Sequence, residues 1–236
     1  MENQNINNYF DRIFVINLKK RPDRKAYMIN KLKKVNITNY EFVEAIDGSI
    51  EPYISMYNVK LRNGFFESPG AFGILLSVYK ILLYAKNKKY TKILILEDDT
   101  FFHNDFNNIF NKKVIELHDW KLLYLGTSME KDRIIPQKSK NIDDIITSKG
   151  EITGAFGLGI QSSIFDELLY YITHTNKALD TGPLKLINLK YNKDVLIFYP
   201  YIIICHTEDS NIRQGSSTKK SAVKYGWNLE SFNSNF

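Results

Sequence analysis

Short continuous apolar runs divide the chain into predicted strands. Arg12–Leu18, Lys92–Leu96 and Trp120–Leu125 are rich in large apolar residues, which is typical of strands buried on both faces. Tyr40–Ala45 predicts a shorter strand that ends at the turn pair Asp47-Gly48. Strands of this kind are expected in a parallel sheet that is covered by helices.

Apolar residues at helical spacing separate these strands. Pro22 can open a helix, because its missing N–H costs nothing at the first helical position. Ser68-Pro69 predicts an N-cap and the start of a second helix of about four turns. The alternation of strands and helices predicts an α/β fold: a mostly parallel sheet with helices on both faces. The apolar faces of the two helices consist of Met28, Leu32 and Val35, and of Ile74, Leu75, Val78, Ile81, Leu82 and Ala85.

The second half of the chain contains weaker signals. Residues 127–150 are polar and predict a long loop with a short strand at Ile145-Ile146. Val195–Tyr199 and Tyr201–Cys205 predict two strands without a helix between them, so we expect mixed strand pairing at one edge of the sheet. The other predicted elements are helices over Asp105–Leu117, after Ser162 and near Asp180–Leu189, a strand over Glu151–Gln161, and irregular backbone over 49–68 and from His206 onward.

Composition narrows the class of protein. A length of 236 residues with 44% hydrophobic residues predicts one globular domain over residues 1–236, or one domain with an appendage. The net charge of +6 is spread along the chain, which suits an anionic ligand such as a nucleotide-sugar, although solubility explains it equally well. Nucleic-acid binding is not expected, because no basic segment is interleaved with aromatic residues. The lone Cys205 excludes an internal disulfide framework.

Localisation is predicted from what the sequence lacks. The first eight residues are polar and do not resemble a secretory signal. No window approaches the roughly 18 apolar residues of a membrane-spanning helix. We therefore expect a soluble cytoplasmic protein without a transmembrane segment. The frequent Asn, Lys and Ile are typical of an AT-rich genome, which leaves a bacterial or a viral source open.

Three consecutive carboxylates end the central predicted strand. Glu97, Asp98 and Asp99 directly follow Ile93–Leu96, and ligands of open α/β sheets bind beyond the carboxyl ends of the strands. Adjacent acids repel each other unless a cation or a donor compensates them. A divalent ion that also binds substrate phosphates would do so. A solvated acidic turn is the other interpretation.

The junction after the first strand carries cations. Asn17 is followed by Lys19, Lys20, Arg21 and Arg24 around a helix start, which is a suitable cradle for an anion or a nucleotide. No glycine fingerprint accompanies it, so a basic surface with an Arg24 ion pair is an equally open interpretation.

Three later residues are further candidates. His206 follows the last predicted strand and would complete a metal site if that strand ended beside the acids. Asp180 precedes Gly182-Pro183 and is either a helix N-cap or a general base for an acceptor hydroxyl. Gly154 would let a sugar or a nucleotide approach the backbone, or would simply pack a twisted strand.

Several segments match the motifs of one family in the same order. The matching segments are Val15–Arg24 (strand and Arg-Pro-Asp-Arg), Ala45–Gly48 (A-V/I-D-G), Ser68–Val78 (the helix GEIGCFLSH), Leu96–Asp99 (LEDD), Thr153–Leu158 (TGAYGL) and Leu179-Asp180 (VD). Over residues 11–213 the chain thus resembles glycosyltransferase family 25. This family includes lipopolysaccharide-type galactosyl- and glucosyltransferases and collagen hydroxylysine galactosyltransferases. The chain departs from the family helix, which carries Cys and His where Phe72, or a residue near it, and Val78 stand here.

The resemblance implies a fold and an activity. The fold would be of GT-A type, with a Rossmann-like nucleotide-binding half (10–126) merged with an acceptor-side half (127–236). The activity would be transfer of galactose or glucose from a UDP-sugar to a hydroxyl of a glycan or protein, with Mn²⁺, or alternatively Mg²⁺, as cofactor. A histidine ligand would favour Mn²⁺.

The resemblance also assigns roles to residues. Glu97, Asp99 and His206 would bind the metal, and Asp180 would deprotonate the acceptor for displacement with inversion. The donor would contact Asn17, Arg21, Arg24, Asp47, Glu97, Asp98 and Gly154.

Two alternative classes remain open at this stage. The departures in the family helix favour a catalytically weak module that binds nucleotide-sugar or glycan, whereas the intact acidic motif argues against it. Another metal-dependent phosphate enzyme, such as a nucleotidyltransferase, is disfavoured because neither a Walker-type glycine loop nor a second acidic cluster stands out.

Overall fold

The structure is a computed structural model that describes residues 4–64, 68–115, 117, 119–130, 145–147, 152–208 and 217–232. Its helices are α1 (Ile6–Tyr9), α2 (Pro22–Lys34), α3 (Tyr53–Arg62), α4 (Pro69–Asn87), α5 (Phe106–Val114), α6 (Phe165–His174), α7 (Pro183–Lys190) and α8 (Thr218–Tyr225). Its strands are β1 (Arg12–Asn17), β2 (Tyr40–Glu44), β3 (Lys92–Glu97), β4 (Thr100–Phe102), β5 (Leu122–Tyr124), β6 (Ile145–Thr147), β7 (Gly157–Gln161), β8 (Val195–Phe198) and β9 (Ile203–Cys205).

Seven strands form one mixed sheet in the order β2-β1-β3-β7-β5-β8-β6. β1 pairs in parallel with β2 and with β3, and β5 pairs in parallel with β8. β7 runs antiparallel between β3 and β5, and β6 runs antiparallel to β8 at the edge. The mostly parallel α/β sheet of GT-A type is therefore confirmed. The expected mixed pairing at one edge is present in β6 and β8, and a second antiparallel strand, β7, lies in the middle of the sheet.

Helices cover the sheet and bury its apolar residues. α4 packs against α3 and α6, and α6 packs against α7, whereas α1 packs against α5 and α2 packs against β4. The predicted apolar face of α2 is buried, as are Leu75, Val78, Ile81, Leu82 and Ala85 of α4. The predicted close approach of β7 is also present. A Cβ on Gly159 would contact Trp120 and Phe10, both at 3.2 Å.

Three elements differ from the prediction. α3 lies within the segment expected to be irregular, and it buries no residue, so it has no apolar face that a periodic pattern would reveal. α8 lies in the tail expected to be irregular and ends at Gly226, whose φ of 70° forms a left-handed C-cap. β4 directly follows the acidic turn and pairs antiparallel with β9, outside the main sheet. Most of the predicted loop 127–150 lies outside the described residues.

The register of the sheet decides where the candidate residues lie. Ile16 of β1 pairs with Glu97 of β3, and both strands run in the same direction. Asn17 at the end of β1 consequently lies beside the acidic turn Glu97–Asp99. Residues from the β1–α2 junction and from the acidic turn meet at the same edge of the sheet.

The loop after β2 packs directly on the first turns of α4. A Cβ on Gly73 would lie 2.2 Å from the Ile46 carbonyl oxygen, and a Cβ on Gly48 would lie 2.0 Å from the Pro69 carbonyl oxygen. Ser77 Oγ also accepts a hydrogen bond from the Ile46 N–H at 2.8 Å. Two glycines thus permit a backbone contact that fixes the position of Asp47.

Replacing Gly73 by alanine should destabilise the protein. The added methyl group must push away backbone atoms, which costs about 1–3 kcal/mol and exceeds the roughly 1 kcal/mol by which alanine favours a helix. Urea unfolding of Gly73→Ala and of Lys80→Ala, an exposed position of the same helix, measures the difference. Equal unfolding free energies in the two variants would contradict this packing.

Candidate active site

Asp98 is held at the centre of the site by the β1–α2 segment. Asn17 donates from Nδ2 to Asp98 Oδ2 at 2.6 Å, and Arg24 donates from Nη1 to Asp98 Oδ1 at 2.9 Å. All three residues are at most 9% exposed. Because both oxygens accept from buried donors, this triad, called here the Asp98 clamp, fixes the acidic turn against β1 and α2.

Asp99 keeps one oxygen available. Arg24 Nη1 lies 3.2 Å from Asp99 Oδ2, whereas Asp99 Oδ1 is buried and has no hydrogen-bond partner among the described residues. Burial raises the pKa of Asp99 to about 6, and the charge of Arg24 opposes that rise. An unpaired buried carboxylate oxygen is a suitable ligand for a cation.

Glu97 lies beside Asp99 and is the most strongly perturbed acid. Burial raises the pKa of the Glu97 carboxyl to about 8, and the nearby charges of Asp99, Asp98 and Asp180 raise it further. Asp180 lines the same cavity as Glu97 and Asp99. Crowded carboxyl groups of this kind retain a proton unless a cation replaces it.

Lys31 is a buried cation that sequence analysis missed. Its Nζ donates to the Thr100 carbonyl oxygen at 2.5 Å and lies 3.6 Å from the centroid of the Phe101 ring. Burial lowers the pKa of Lys31 to about 7, against the charges of Asp99 and Asp98. The sequence does contain a signal for this burial, because Lys31 lies three residues after Met28 and therefore on the apolar face of α2.

The pairing of β4 with β9 brings His206 to the acidic turn. Thr100 is registered with Cys205, and the His206 N–H donates to the Asp99 carbonyl oxygen at 2.9 Å. His206 Nε2 lies 3.9 Å from Glu208 Oε2. His206 is therefore adjacent to the acids, as the metal-site hypothesis requires, although through β4 and not through β3.

Asp180 is fixed by two backbone donors. Its Oδ2 accepts from the Gly154 N–H at 3.0 Å, and its Oδ1 accepts from the Thr181 N–H at 2.9 Å. Gly154 has a φ of +83°, and a Cβ there would lie 2.7 Å from Ser128 Oγ, so glycine is required. The N-cap interpretation of Asp180 is wrong, because α7 begins at Pro183 and Gly182 occupies the N-cap.

Two cavities meet at the acidic turn and share Ile74, Glu97 and Asp99. The first, called here the β1 cavity, is also lined by Lys20, Arg24, Asp47, Gly48 and Asp98. The second, called here the α8 cavity, is also lined by Ser128, Gly154, Phe156, Leu179, Asp180, Thr181, Cys205, His206, Thr207, Ser221 and Tyr225. The structure thus brings most predicted site residues to one cleft with two compartments.

The cationic residues of the β1–α2 junction have different partners in the structure. Lys20, which the prediction did not select, forms an ion pair with Asp47 at 2.5 Å and lines the β1 cavity. Arg21 instead pairs with Asp23 at 2.7 Å. Within the described part of the chain, Arg21 is not among the residues that line either cavity. Its donor role therefore remains a prediction.

The structure does not display a closed metal cage. Across the described residues, no group of three His, Cys, Asp or Glu side chains is close enough to hold a metal ion by itself. Glu97, Asp99 and His206 nevertheless share one cavity wall. Sequence reasoning also missed the hydroxyl and aromatic residues of that cavity, namely Ser128, Thr207, Ser221 and Tyr225, because no motif or period marks them.

Comparison with known proteins identifies the family. The profile of "Glycosyltransferase family 25 (LPS biosynthesis protein)" matches residues 10–181. The chain therefore belongs to glycosyltransferase family 25. The matched region contains the Asp98 clamp, Asp99, Gly154 and Asp180, and it ends before His206 and α8.

Three relatives illustrate the range of the family. Procollagen galactosyltransferase 2 of Homo sapiens is 31% identical over 134 residues, which are 50% of this chain and 21% of that protein. A candidate glycosyltransferase of Acanthamoeba polyphaga mimivirus is 33% identical over 144 residues, 58% of this chain and 43% of that protein. Inactive glycosyltransferase 25 family member 3 of Homo sapiens is 27% identical over 149 residues, 58% of this chain and 24% of that protein. The chain matches less than half of the length of each relative.

Within the described ranges, no helix is both long enough and apolar enough to cross a bilayer.

The protonation of Glu97 predicts a pH dependence of stability. Its pKa is raised in the folded state, so stability is lost as pH rises from the unfolded value towards about 8. One proton accounts for about 1.4 kcal/mol per pH unit. From pH 5 to 7, in the presence of a chelator, the unfolding free energy of Glu97→Gln should rise relative to that of the unsubstituted protein by up to about 1.4 kcal/mol for each pH unit, as measured by urea unfolding. Parallel pH profiles of the two proteins would refute the raised pKa.

Proposed function

We propose that the chain is a metal-dependent glycosyltransferase that transfers galactose or glucose from a UDP-sugar to a hydroxyl of a glycan or protein, with inversion at the anomeric carbon. Membership of glycosyltransferase family 25 and the similarity to a protein named as a procollagen galactosyltransferase support glycosyl transfer. Lipopolysaccharide-type glycans and collagen-like proteins are the candidate acceptors.

The observation that carries this proposal is the position of Asp99 between two cavities. The Asp98 clamp holds the acidic turn, and Asp99, whose Oδ1 is unpaired among the described residues, lies on the shared wall. A donor in one cavity and an acceptor in the other would meet at this wall. A transferase requires such an arrangement, because two substrates must be held together for direct displacement.

Glu97 and Asp99 at the shared wall, with His206 in the α8 cavity, are the residues that would hold a divalent cation. Asp99 offers an unpaired carboxylate oxygen, His206 an imidazole and Glu97 a second carboxyl group. A cation bound by few protein ligands commonly takes further oxygen ligands from substrate phosphates, and imidazole favours Mn²⁺ over Mg²⁺. When bound, Mn²⁺ would neutralise the negative charge that develops on the departing diphosphate.

The β1 cavity suits the nucleotide part of the donor. Lys20 and Arg24 line it, each paired with a carboxylate, beside Glu97 and Asp99, so an anionic group would bind there together with the proposed cation. The Asp47 carboxylate can accept hydrogen bonds from hydroxyl groups such as those of ribose. Gly48, which packs closely on the Pro69 carbonyl oxygen, also lines this cavity and presents only backbone to it. These groups match a ligand that has both anionic and hydroxyl-bearing parts.

Asp180 is the proposed general base in the α8 cavity. Each of its oxygens accepts one backbone N–H, so each keeps a lone pair with which to accept the proton of the acceptor hydroxyl. The two backbone hydrogen bonds hold the carboxylate in one orientation before the acceptor binds. The deprotonated acceptor oxygen would then attack the anomeric carbon as the bond to the diphosphate breaks.

A binding module without transferase activity is the second candidate. The relative named inactive shows that members of this family exist without activity. Such a module would bind UDP and retain the clamp, but it would not release UDP from any UDP-sugar in the presence of an acceptor.

Removal of the Asp99 carboxylate should abolish the effect of Mn²⁺ on donor binding. Thermal stabilisation by UDP is expected to increase with Mn²⁺ in the unsubstituted protein, and Asp99→Asn should lose this increase, because an amide is a weak ligand for the ion. Asp166→Asn is the matched control, since Asp166 is an exposed residue of α6. UDP release from a panel of UDP-sugars in the same samples identifies the donor. If Mn²⁺ does not change thermal stabilisation by UDP in the unsubstituted protein or in either variant, the metal-dependent mechanism is contradicted.

Replacement of Asp180 by asparagine should lower kcat without weakening UDP binding. Loss of a general base typically costs a factor of about 10²–10⁴ in rate, whereas the β1 cavity is unaffected by the change. Initial rates of UDP formation and the Kd for UDP test this separation. Full transfer activity in Asp180→Asn would remove Asp180 from the mechanism.

A further inference from the structure

One wall of the α8 cavity is built by a helix outside the family match. The profile ends at residue 181, whereas α8 begins at Thr218. Ser221 and Tyr225 both line the cavity from this helix. They are four residues apart and therefore lie on the same face of α8. The helix thus adds residues to the site that the family comparison does not assign.

α8 and the segment after it are held against the cavity by specific contacts. Trp227 Nε1 donates to the Thr127 carbonyl oxygen at 3.0 Å, and the Trp227 ring packs on Phe156 at 6.0 Å between centroids. At the other end of α8, Thr218 Oγ1 accepts from the Thr207 N–H at 3.1 Å. Contacts at both ends make α8 part of the cavity wall.

Thr181, which lines the same cavity, carries an unpaired polar atom. Its Oγ1 is buried and has no hydrogen-bond partner among the described residues. A buried hydroxyl without a partner is unfavourable, and a ligand that hydrogen-bonds to it would remove this cost. Thr181 directly follows Asp180, so a ligand bound to Thr181 Oγ1 would lie next to the proposed base.

Away from the acids, His206 and Cys205, the polar side chains of the described wall are hydroxyls. Apart from Glu97, Asp99 and Asp180 at the reaction centre, the described lining contains no carboxylate. Lys224 Nζ lies 5.5 Å from the centroid of the Tyr225 ring and is paired with Glu130 at 3.1 Å. The nearby Glu208 accepts from the Thr218 N–H and does not line the cavity. Beyond the reaction centre, the described lining therefore suits a neutral ligand better than an ammonium group.

We propose that Thr181, Ser221 and Tyr225 form an acceptor subsite that binds a neutral sugar ring. A sugar ring presents C–H groups on its face, which pack on an aromatic ring, and hydroxyls at its edge, which pair with Thr181 and Ser221. This inference rests on the proposed transferase function and names its acceptor as a glycan hydroxyl.

Direct binding tests the subsite without requiring turnover. Ligand-observed NMR titrations measure the Kd of methyl glycosides of glucose, galactose and N-acetylglucosamine, and of Nα-acetylhydroxylysine amide, with the full chain. Tyr225→Ala removes the ring, and Thr181→Val removes only the hydroxyl at nearly constant volume. Tyr170→Ala is the matched control, because Tyr170 is 58% exposed on α6 and does not line the cavity.

At least one glycoside is expected to bind, and the hydroxylysine derivative is not. The Kd of that glycoside should rise about tenfold in Tyr225→Ala, the size expected for the loss of an aromatic contact. It should rise at least threefold in Thr181→Val, a loss of about 0.7 kcal/mol by the same conversion, and should stay constant in Tyr170→Ala. Failure of every glycoside to bind, binding of the hydroxylysine derivative alone, or an unchanged Kd in Thr181→Val would overturn the proposal.

A UDP titration of the same samples separates this inference from the transferase proposal. UDP binding without glycoside binding would refute the subsite and leave the donor site standing. Glycoside binding with the stated losses, but no UDP binding, would refute the transferase and leave a sugar-binding site of the proposed composition.

Discussion

The hydrogen-bonded pairing of Asp98 with Asn17 and Arg24 is the interaction on which the rest of the site depends. Three acids at the end of one strand would repel each other if they were left unpaired in a partly buried cleft. Arg24 contacts both Asp98 and Asp99, and the buried Lys31 amine donates to the Thr100 carbonyl oxygen directly after them. Breaking a buried charge pair typically costs about 3–5 kcal/mol, so the clamp is a structural requirement as well as a feature of the site.

The Asp98 clamp also gives the three acids different environments. Asp98 is saturated by donors and holds the turn, whereas Asp99 keeps an oxygen for a ligand. Glu97 lies on the shared wall of both cavities. Because β4 continues directly from this turn and pairs with β9, the same segment positions His206. A single short stretch therefore connects the β1 cavity, the proposed metal position and the α8 cavity.

Much of this arrangement was predictable because its signals are local. The buried strands are continuous apolar runs, and the acidic motif and the Arg-Pro-Asp-Arg segment are contiguous in sequence. The sequence did not distinguish Arg21 from Arg24. In the structure, the orientation of α2 buries Arg24 beside Asp98, whereas Arg21 pairs with Asp23. Asp180 and Gly154 are separated by 26 residues, and their hydrogen bond depends on a left-handed glycine that no periodic pattern reveals. α3 was missed because it buries no side chain, and the role of α8 depends on tertiary contacts of Trp227.

The central claim is that the clamp leaves Asp99 able to hold a divalent ion together with the donor diphosphate. Titration of Mn²⁺ into the protein, followed by the loss of the free-ion signal in electron paramagnetic resonance, tests it with and without UDP. The account predicts one bound Mn²⁺ per chain whose affinity rises when UDP is present, since the diphosphate supplies further oxygen ligands. A free-ion signal that is unchanged by the protein at every UDP concentration would contradict it.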